Sequence, residues 1–388
     1  MYQRSLAGFY LNGGVREIIP IYPLYAILFI SNGVDPFMLS VLFSIWAGVG
    51  IVLEVPSGAL ADTLSRKWLI VSSGVFKSLA FYTWWAWPDF YGYALGFILW
   101  GAGSALRSGA WEALLHDILA SAGETRLFTR HYGRMRALAT TGTVGGEVLG
   151  GVLIVLGYDA VLLVSMVIPL VASAMFAVLV QEPHREESAY EAGYLENLRN
   201  GLREAVVNPA IRYIVLAFSL LIVAAGILDE YVNPIVFEQG FSLSNVAFLA
   251  AGVALSEAAG QAVSSQFSRF SINGLLSLLA CATVIMALML LPGGLWVPAG
   301  LALFFFLFAV AGTQLAGRLQ ERIEGEARAT VTSVAGLGDG VGAIAWFLVF
   351  GSMANASDMT IAAWGFAGIT LVLCLLFVVL GRRWQIYA

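Results

Sequence analysis

The chain has 388 residues, of which 59% are hydrophobic and only 12% charged, with a formal net charge of −5. A soluble domain carries about 25% charge, so a water-soluble enzyme is excluded, and so is a nucleic-acid binder. The net charge decides little, because its placement along the chain matters more than its sum.

The apolar residues recur in runs of about 20, the length that crosses a bilayer as helix. Read in order, they give twelve spans: roughly 6–31, 36–60, 68–88, 90–115, 132–157 and 160–181, then 210–237, 243–266, 272–292, 295–317, 328–353 and 359–381. Turn signals separate them at Asn32-Gly33, Pro88-Asp89, Gly157-Tyr158-Asp159, Gln239-Gly240 and Pro292-Gly293-Gly294. The expected fold class is therefore an all-α membrane protein of twelve transmembrane helices in two six-helix bundles. The expected division is residues 1–181, a cytoplasmic linker at 182–209, and residues 210–388.

Lys and Arg fix the expected orientation. With both termini in the cytoplasm, only Arg16, Lys77 and Arg107 fall inside spans, and the other seventeen of the twenty basic residues lie on the cytoplasmic side. The outer loops carry Asp35, Asp89, Asp159, Glu238 and Asp358 and no basic residue, as the positive-inside rule requires. No cleavable-signal pattern opens the sequence. Cys281 and Cys374 both lie in apolar runs, so no disulfide is expected. The polar stretch Gln181–Asn208 has Leu195, Leu198, Leu202, Ala205 and Val206 at helical spacing among its charges. It reads as an amphipathic helix at the cytoplasmic interface; a solvated charged loop is the alternative.

Between the second and third spans stands Gly58-Ala-Leu-Ala-Asp62-Thr-Leu-Ser-Arg66-Lys67. Gly58 permits close helix approach, and Asp62 suits a helix N-terminus. Positive-inside charge alone accounts for Arg66 and Lys67 but not for the spaced Gly58 and Asp62. The stretch resembles the signature loop between helices 2 and 3 of major facilitator superfamily transporters, with Ser65 where glycine is usual. The resemblance implies a cytoplasmic latch in the outward-facing state, made by Gly58, Asp62, Arg66 and Lys67. Its partners would be the start of helix 11 near Ala329-Thr330 and acids below helix 4 such as Glu112 or Asp117. The second half has no good copy: Ser264–Asn273 keeps only Arg269.

In the fifth span Gly133, Gly142, Gly146, Gly150 and Gly151 are spaced like the motif of proton-coupled exporters in that superfamily, with Glu147 in place of its proline. Such a row suits close packing, expected here against helix 8, and also occurs as plain packing. Glu147 lies about fifteen residues into the span, near the midplane at 1.5 Å per residue. An acid there faces a cavity or a partner; it either carries a coupling proton or only stabilises packing. The stretches Glu54-Val-Pro56-Ser57-Gly58 and Trp100-Gly-Ala-Gly103-Ser-Ala-Leu-Arg107-Ser-Gly109-Ala-Trp111-Glu112 resemble a bacterial branch of uncharacterised exporters. Arg107 precedes a glycine by two positions rather than five, which departs from the antiporter helix-4 motif.

Helices 1, 4, 7 and 10 line the cavity in this superfamily. The resemblance therefore implies a substrate path near Asn12, Arg16, Glu17, Arg107, Asp229, Glu230 and Asn233; Tyr22 and the intramembrane acids Glu257 and Asp339 are also expected at the cavity, and Glu147, Asp229 and Glu230 are the expected proton-coupling acids. Lys77 reads as a structural partner for an acid. Acids outnumber bases in this pool, which suits proton exchange or a cationic substrate and fits an anion only if Arg16 and Arg107 converge. Pro20, Pro23 and Pro234 interrupt helical hydrogen bonds, as gates or as simple kinks. Trp84, Trp85 and Trp87 read as an interfacial belt.

The sequence reading is thus a monomeric secondary transporter of the bacterial inner membrane with a small-molecule substrate. It needs no cofactor beyond a proton gradient: no phosphate-binding loop, nucleophile or metal-ligand spacing occurs. Proton-coupled export of a small amphipathic or cationic compound is expected. Proton symport of a sugar, organic acid or peptide is the alternative within transport, and a transport-dead receptor the alternative outside it.

Overall fold

The computed structural model describes residues 2–183, 216, 218–291, 296–322 and 327–383. Among them the chain is helical without strands. The helices are α1 (Tyr2–Val15), α2 (Tyr25–Ser31), α3 (Pro36–Thr63), α4 (Arg66–Ala86), α5 (Phe90–Ser121), α6 (Phe128–Leu153) and α7 (Tyr158–Leu179). A π-helical turn at Phe218–Ile222 then leads into α8 (Val223–Glu238), followed by α9 (Leu243–Val263), α10 (Ile272–Met289), α11 (Val297–Arg322), α12 (Ala327–Ala356) and α13 (Met359–Arg383). Every expected span has helix in its place. Nine helical stretches among the described residues are long and apolar enough to cross a membrane. The first span misses that standard because it is broken, and α4 and α5 because Lys77, Arg107, tyrosine, tryptophan and glycine lower their hydropathy. The expected linker, beyond Pro183, lies outside the described residues, as does the Pro292-Gly293-Gly294 turn.

Local sequence explains the helix ends. Asp89 caps α5 by accepting from the Tyr91 and Gly92 amides at 2.9 and 3.1 Å, and Ser271 caps α10 through the Gly274 amide at 3.1 Å. The two amide-glycine pairs behave alike. Gly33 and Gly240 turn the chain with φ of +90° and +89°, a conformation that favours glycine. Asn32 Nδ2 then donates to the Tyr93 hydroxyl at 2.6 Å, and Gln239 Nε2 to the Thr360 hydroxyl at 2.9 Å.

Two compact units result, residues 1–34, 45–191 and 243–251 in the first and 35–44, 192–242 and 252–388 in the second. In the first, Phe9, Trp111 and Phe176 pack ring against ring at 4.6–5.7 Å, among Leu114, Leu115 and Leu119. A second aromatic group joins Tyr25, Phe29, Trp84, Phe97 and Trp100. Trp84 is fully buried there, with Nε1 donating to the Tyr93 carbonyl at 3.2 Å, so it is a core residue and not part of a belt. Trp85 and Trp87 are exposed. In the second unit Tyr231 is buried against Ser40, Phe43, Phe347 and Phe350.

The expected continuous helix over 6–31 is corrected by the structure. It stops at Val15 and restarts at Tyr25. Pro20 and Pro23 cannot donate the amide hydrogen bonds a helix needs there, and the intervening amides make short turns instead, such as Glu17 N to Gly14 O at 3.2 Å and Ile19 N to Glu17 O at 2.8 Å. Ile21 N finds the Ser165 hydroxyl at 3.1 Å. Irregular backbone at membrane depth needs such protein partners. Pro234, by contrast, leaves α8 continuous.

The glycine row of α6 covers this break. A side-chain carbon on Gly142, Gly146 or Gly150 would run into the backbone of Gly14, Ile19 or Pro20. Among the described residues the row therefore packs mainly on the broken first span, and only Gly151 meets the eighth span, α9, at Phe248. The expectation that the whole row faces helix 8 is corrected accordingly: two irregular backbones approach only where no side chain stands between them.

Candidate functional site: a cationic cavity in the first unit

The break matters because it leaves two charged residues where the helix ends. Arg16 Nη2 meets Glu17 Oε1 at 2.7 Å, and the other carboxylate oxygen meets Lys77 Nζ from α4 at 3.7 Å. The side chains of Arg16, Glu17 and Lys77 are 18%, 18% and 10% exposed. Removing three charges from water is costly, and mutual pairing offsets that cost. Lys77 Nζ also lies 4.9 Å from the Tyr22 ring centre and 5.6 Å from that of Trp100, and those two rings stack at 5.4 Å with 9° between planes. Aromatic faces favour the ammonium. The expected role of Lys77 as partner for an acid has a definite partner here, Glu17.

Arg16 and Lys77 border a partly open cavity. Asn12, Arg16, Lys77, Trp100 and Arg107 line it, with Ser73 and Ser104 adding hydroxyls. Arg107 lies over the Trp111 ring at 4.4 Å. Asn12 Nδ2 donates to the Ala172 carbonyl at 3.0 Å. Arg16 Nη1, Arg107 Nε and Asn12 Oδ1 are buried and make no hydrogen bond among the described residues. Arg16 and Arg107 thus converge on one space.

Of the residues expected on the path, Asn12, Arg16 and Arg107 line this cavity, while Glu17 and Tyr22 hold its cations. Glu147 is buried on α6 but does not line it. Asp229 on α8 lies within electrostatic reach of Glu230 on the same helix and of Glu257 on α9. Glu257 accepts from Gln261 at 3.1 Å. Asn233 and Asp339 are half-buried on α8 and α12. All five belong to the second unit. Trp100, Ser73 and Ser104 escaped sequence reasoning. Trp100 alone carried a signal, as an aromatic residue two turns before a charge within one span.

The signature loop forms its own cluster in the first unit. Arg66 is buried: Nη1 donates to Asp117 at 2.6 Å, Nε to the Ala61 carbonyl at 3.1 Å, and Nη2 lies 3.5 Å from Asp62. Between the two expected acids, Asp117 takes Arg66, while Glu112 accepts from the Tyr132 hydroxyl at 2.8 Å. Lys67 Nζ sits 5.5 Å from the Trp68 ring centre. Among the described residues nothing stands within 4 Å of a carbon added at Gly58. The side chains of Ala329 and Thr330, the other expected partners, lie outside the described residues.

Glu182, just beyond α7, was not foreseen. Its carboxylate accepts from the Ser65 hydroxyl, from Arg66 N at 2.9 Å and from Lys67 N at 3.3 Å. It caps the N-terminus of α4, where free amides and the helix dipole favour an anion. Glu182→Gln is expected to cost about 1 kcal/mol, read as a fall of a few degrees in the unfolding temperature of the purified protein with solute binding unchanged. An unaltered unfolding temperature would show the cap contributes nothing.

Comparison with known proteins agrees with this architecture. The Major Facilitator Superfamily family model matches residues 6–335. An uncharacterized MFS-type transporter of Bacillus subtilis (strain 168), YxaM, is 24% identical over 237 residues, covering 58% of this chain and 57% of that relative. The chain thus spans little over half the length of that relative. Among solved structures, the nucleoside transporter NupG superposes with a TM-score of 0.78 at 14% identity, over 98% of each chain. A bacterial homologue of the human lysosomal transporter Spinster gives 0.79 at 14%, over 98% of this chain and 96% of that one. The POT family transporter PepTSo gives 0.72 at 12%, over 99% of each. At these identities the likeness establishes the fold, and the family match establishes kinship: the chain is a multi-pass membrane protein that belongs to the major facilitator superfamily of transporters.

Proposed function

We propose that this chain is a proton-coupled secondary transporter that binds a small amphipathic solute in the cavity between Arg16, Lys77, Trp100 and Arg107. The observation that carries the reading is Glu17, a carboxylate held between Arg16 and Lys77, two cations that line that cavity. A group that trades an ion pair for a proton couples proton binding to whatever disturbs the pair. Solute and proton then bias the two faces of the transporter only through their different affinities for each state.

The sign of coupling follows from solute charge. A cationic solute competes with the proton for Glu17, which gives exchange and favours the expected export. An anionic solute competes with Glu17 for Arg16 and Lys77, and the released carboxylate takes up the proton, which gives symport. Glu147, Asp229 and Glu230 remain proposed as further proton-binding acids. The loop cluster of Gly58, Asp62, Arg66 and Lys67 is proposed to latch the cytoplasmic side. The distribution of Lys and Arg supports an inner-membrane location with both termini in the cytoplasm, and we propose a monomer.

The test is reconstitution in liposomes with an imposed pH gradient and a pH-sensitive dye in the lumen. Aromatic acids, amines and amides are added in turn, with protein-free liposomes as reference. At least one class is expected to change the rate of gradient loss through the protein. If none does so, proton coupling is refuted. Glu147→Gln in the same assay separates the acids: unchanged gradient dependence removes Glu147 as a coupling group.

A further inference from the structure

The cavity also bears on the chemical class of its solute. Its walls bring three cations, Arg16, Lys77 and Arg107, to one space, and Glu17 pairs with two of them. Glu17 engages Arg16 and Lys77, and Arg107 lies over the neutral Trp111 face. Two guanidinium donors that border the cavity, Arg16 Nη1 and Arg107 Nε, are buried without a hydrogen-bond partner among the described residues. Such donors are costly unless something accepts from them. Guanidinium groups match the two-oxygen geometry of carboxylate and phosphate. A cationic solute would meet the opposite arrangement, with its own charge set beside three others of the same sign in a medium of low dielectric. Beyond the charged groups the walls are mixed: Trp100, Ile70, Pro169 and Ala172 are apolar, and Ser73, Ser104 and Ser173 carry hydroxyls.

We propose that this cavity binds a small organic anion, with its carboxylate or phosphate head accepting from Arg16 and Arg107 and its apolar body against Trp100 and Pro169. The proposal rests on the reading of the cavity as the solute site. It names the solute class that the sequence, with its surplus of acids, did not favour. Asn12 Oδ1, buried at the same cavity and without a donor among the described residues, is placed to accept from a hydroxyl or amide on the bound molecule.

The experiment uses the purified full chain in detergent, with benzoate, phenyl phosphate, benzamide and benzylamine as ligands and calorimetry and thermal unfolding as readouts. Benzoate or phenyl phosphate is expected to bind at least roughly tenfold more tightly than benzamide and benzylamine. Arg107→Gln and Arg16→Gln are each expected to weaken that binding by roughly tenfold or more. Arg126→Gln, at an exposed residue paired with Glu124, leaves it unchanged. Tighter binding of benzylamine, equal binding of all four, or binding of none overturns the proposal. So does binding of the anions that survives both arginine substitutions. Where Arg107→Gln fails to fold, the ranking of the four ligands by the unaltered protein decides.

The outcomes also separate this inference from proton coupling. Benzylamine that binds and moves protons refutes the anion and retains the transporter. An anion that binds through Arg107 yet moves no protons retains the anion and refutes the coupling.

Discussion

Glu17→Gln is expected to uncouple transport from the proton gradient and to destabilise the protein at the same time. Glutamine keeps the size of the side chain but takes away the negative charge between Arg16 at 2.7 Å and Lys77 at 3.7 Å. Two like charges then share a largely buried site, and breaking a buried ion pair in this way costs about 3–5 kcal/mol. Proton-driven flux is expected to fall by at least roughly tenfold, the equivalent of about 1.4 kcal/mol, and the unfolding temperature to drop. The double variant Glu17→Gln with Lys77→Met decides what the loss means. Removing the ammonium relieves the exposed charge, so stability is expected to recover in large part while coupling does not. Coupling that returned with stability would reduce Glu17 to a structural partner of Lys77. Coupling intact in the single variant would sink it altogether.

The second large effect is expected at Gly146. A side chain there would meet the backbone of Ile18 at 3.0 Å and the Glu17 carbonyl at 3.1 Å, with Ile19 N closer still. No rotamer escapes such a contact, because the obstruction begins at the first side-chain carbon and the obstacle is main chain. Gly146→Val must therefore push α6 away from the broken first span. Overpacking of this kind costs about 1–3 kcal/mol, and the displacement falls on the segment that carries Arg16 and Glu17. Proton-driven flux is expected to drop by roughly tenfold or more, even in protein that still folds. Gly145→Ala serves as the control one position away: among the described residues nothing stands within 4 Å of its added carbon, so stability and flux are expected to stay unchanged. Matching behaviour of Gly146→Val and Gly145→Ala, measured by unfolding temperature and dye-reported flux, would show that the glycine contact does not matter.

Particular residues show where sequence reading reached and where it stopped. Asn32-Gly33 and Gln239-Gly240 were legible as turns because a glycine at positive φ beside a short amide is a local requirement. Pro20 and Pro23 were legible as an interruption, but its extent was not. Whether a proline kinks a helix or opens a gap from Val15 to Tyr25 depends on whether neighbours such as Ser165 satisfy the freed amides. The glycine row of α6 was legible as a close-packing face. Its partner was not, since small residues specify approach and say nothing of what approaches. Asp117 and Glu112 were equal candidates for Arg66 in sequence, and only the rotation of α5 separated them. Glu182 followed from no spacing rule, because its targets are main-chain amides on a helix far earlier in the chain.

The sequence by itself determined an all-helical membrane transporter fold of this superfamily, and it named the charged residues that stand inside the spans. Those properties are local: a run of apolar residues, a short loop with fixed spacing, a charge that a bilayer penalises wherever the chain folds. The tertiary structure alone decided which charges meet. Counted along the chain, the buried charges are mostly acids and suggest a cation. In space, Arg16, Lys77 and Arg107 share one cavity and Glu17 pairs with two of them, while Asp229 lies within reach of Glu230 and Glu257 in the other unit. Electrostatic energy falls with distance and rises as water is excluded, and neither quantity is set by position in sequence.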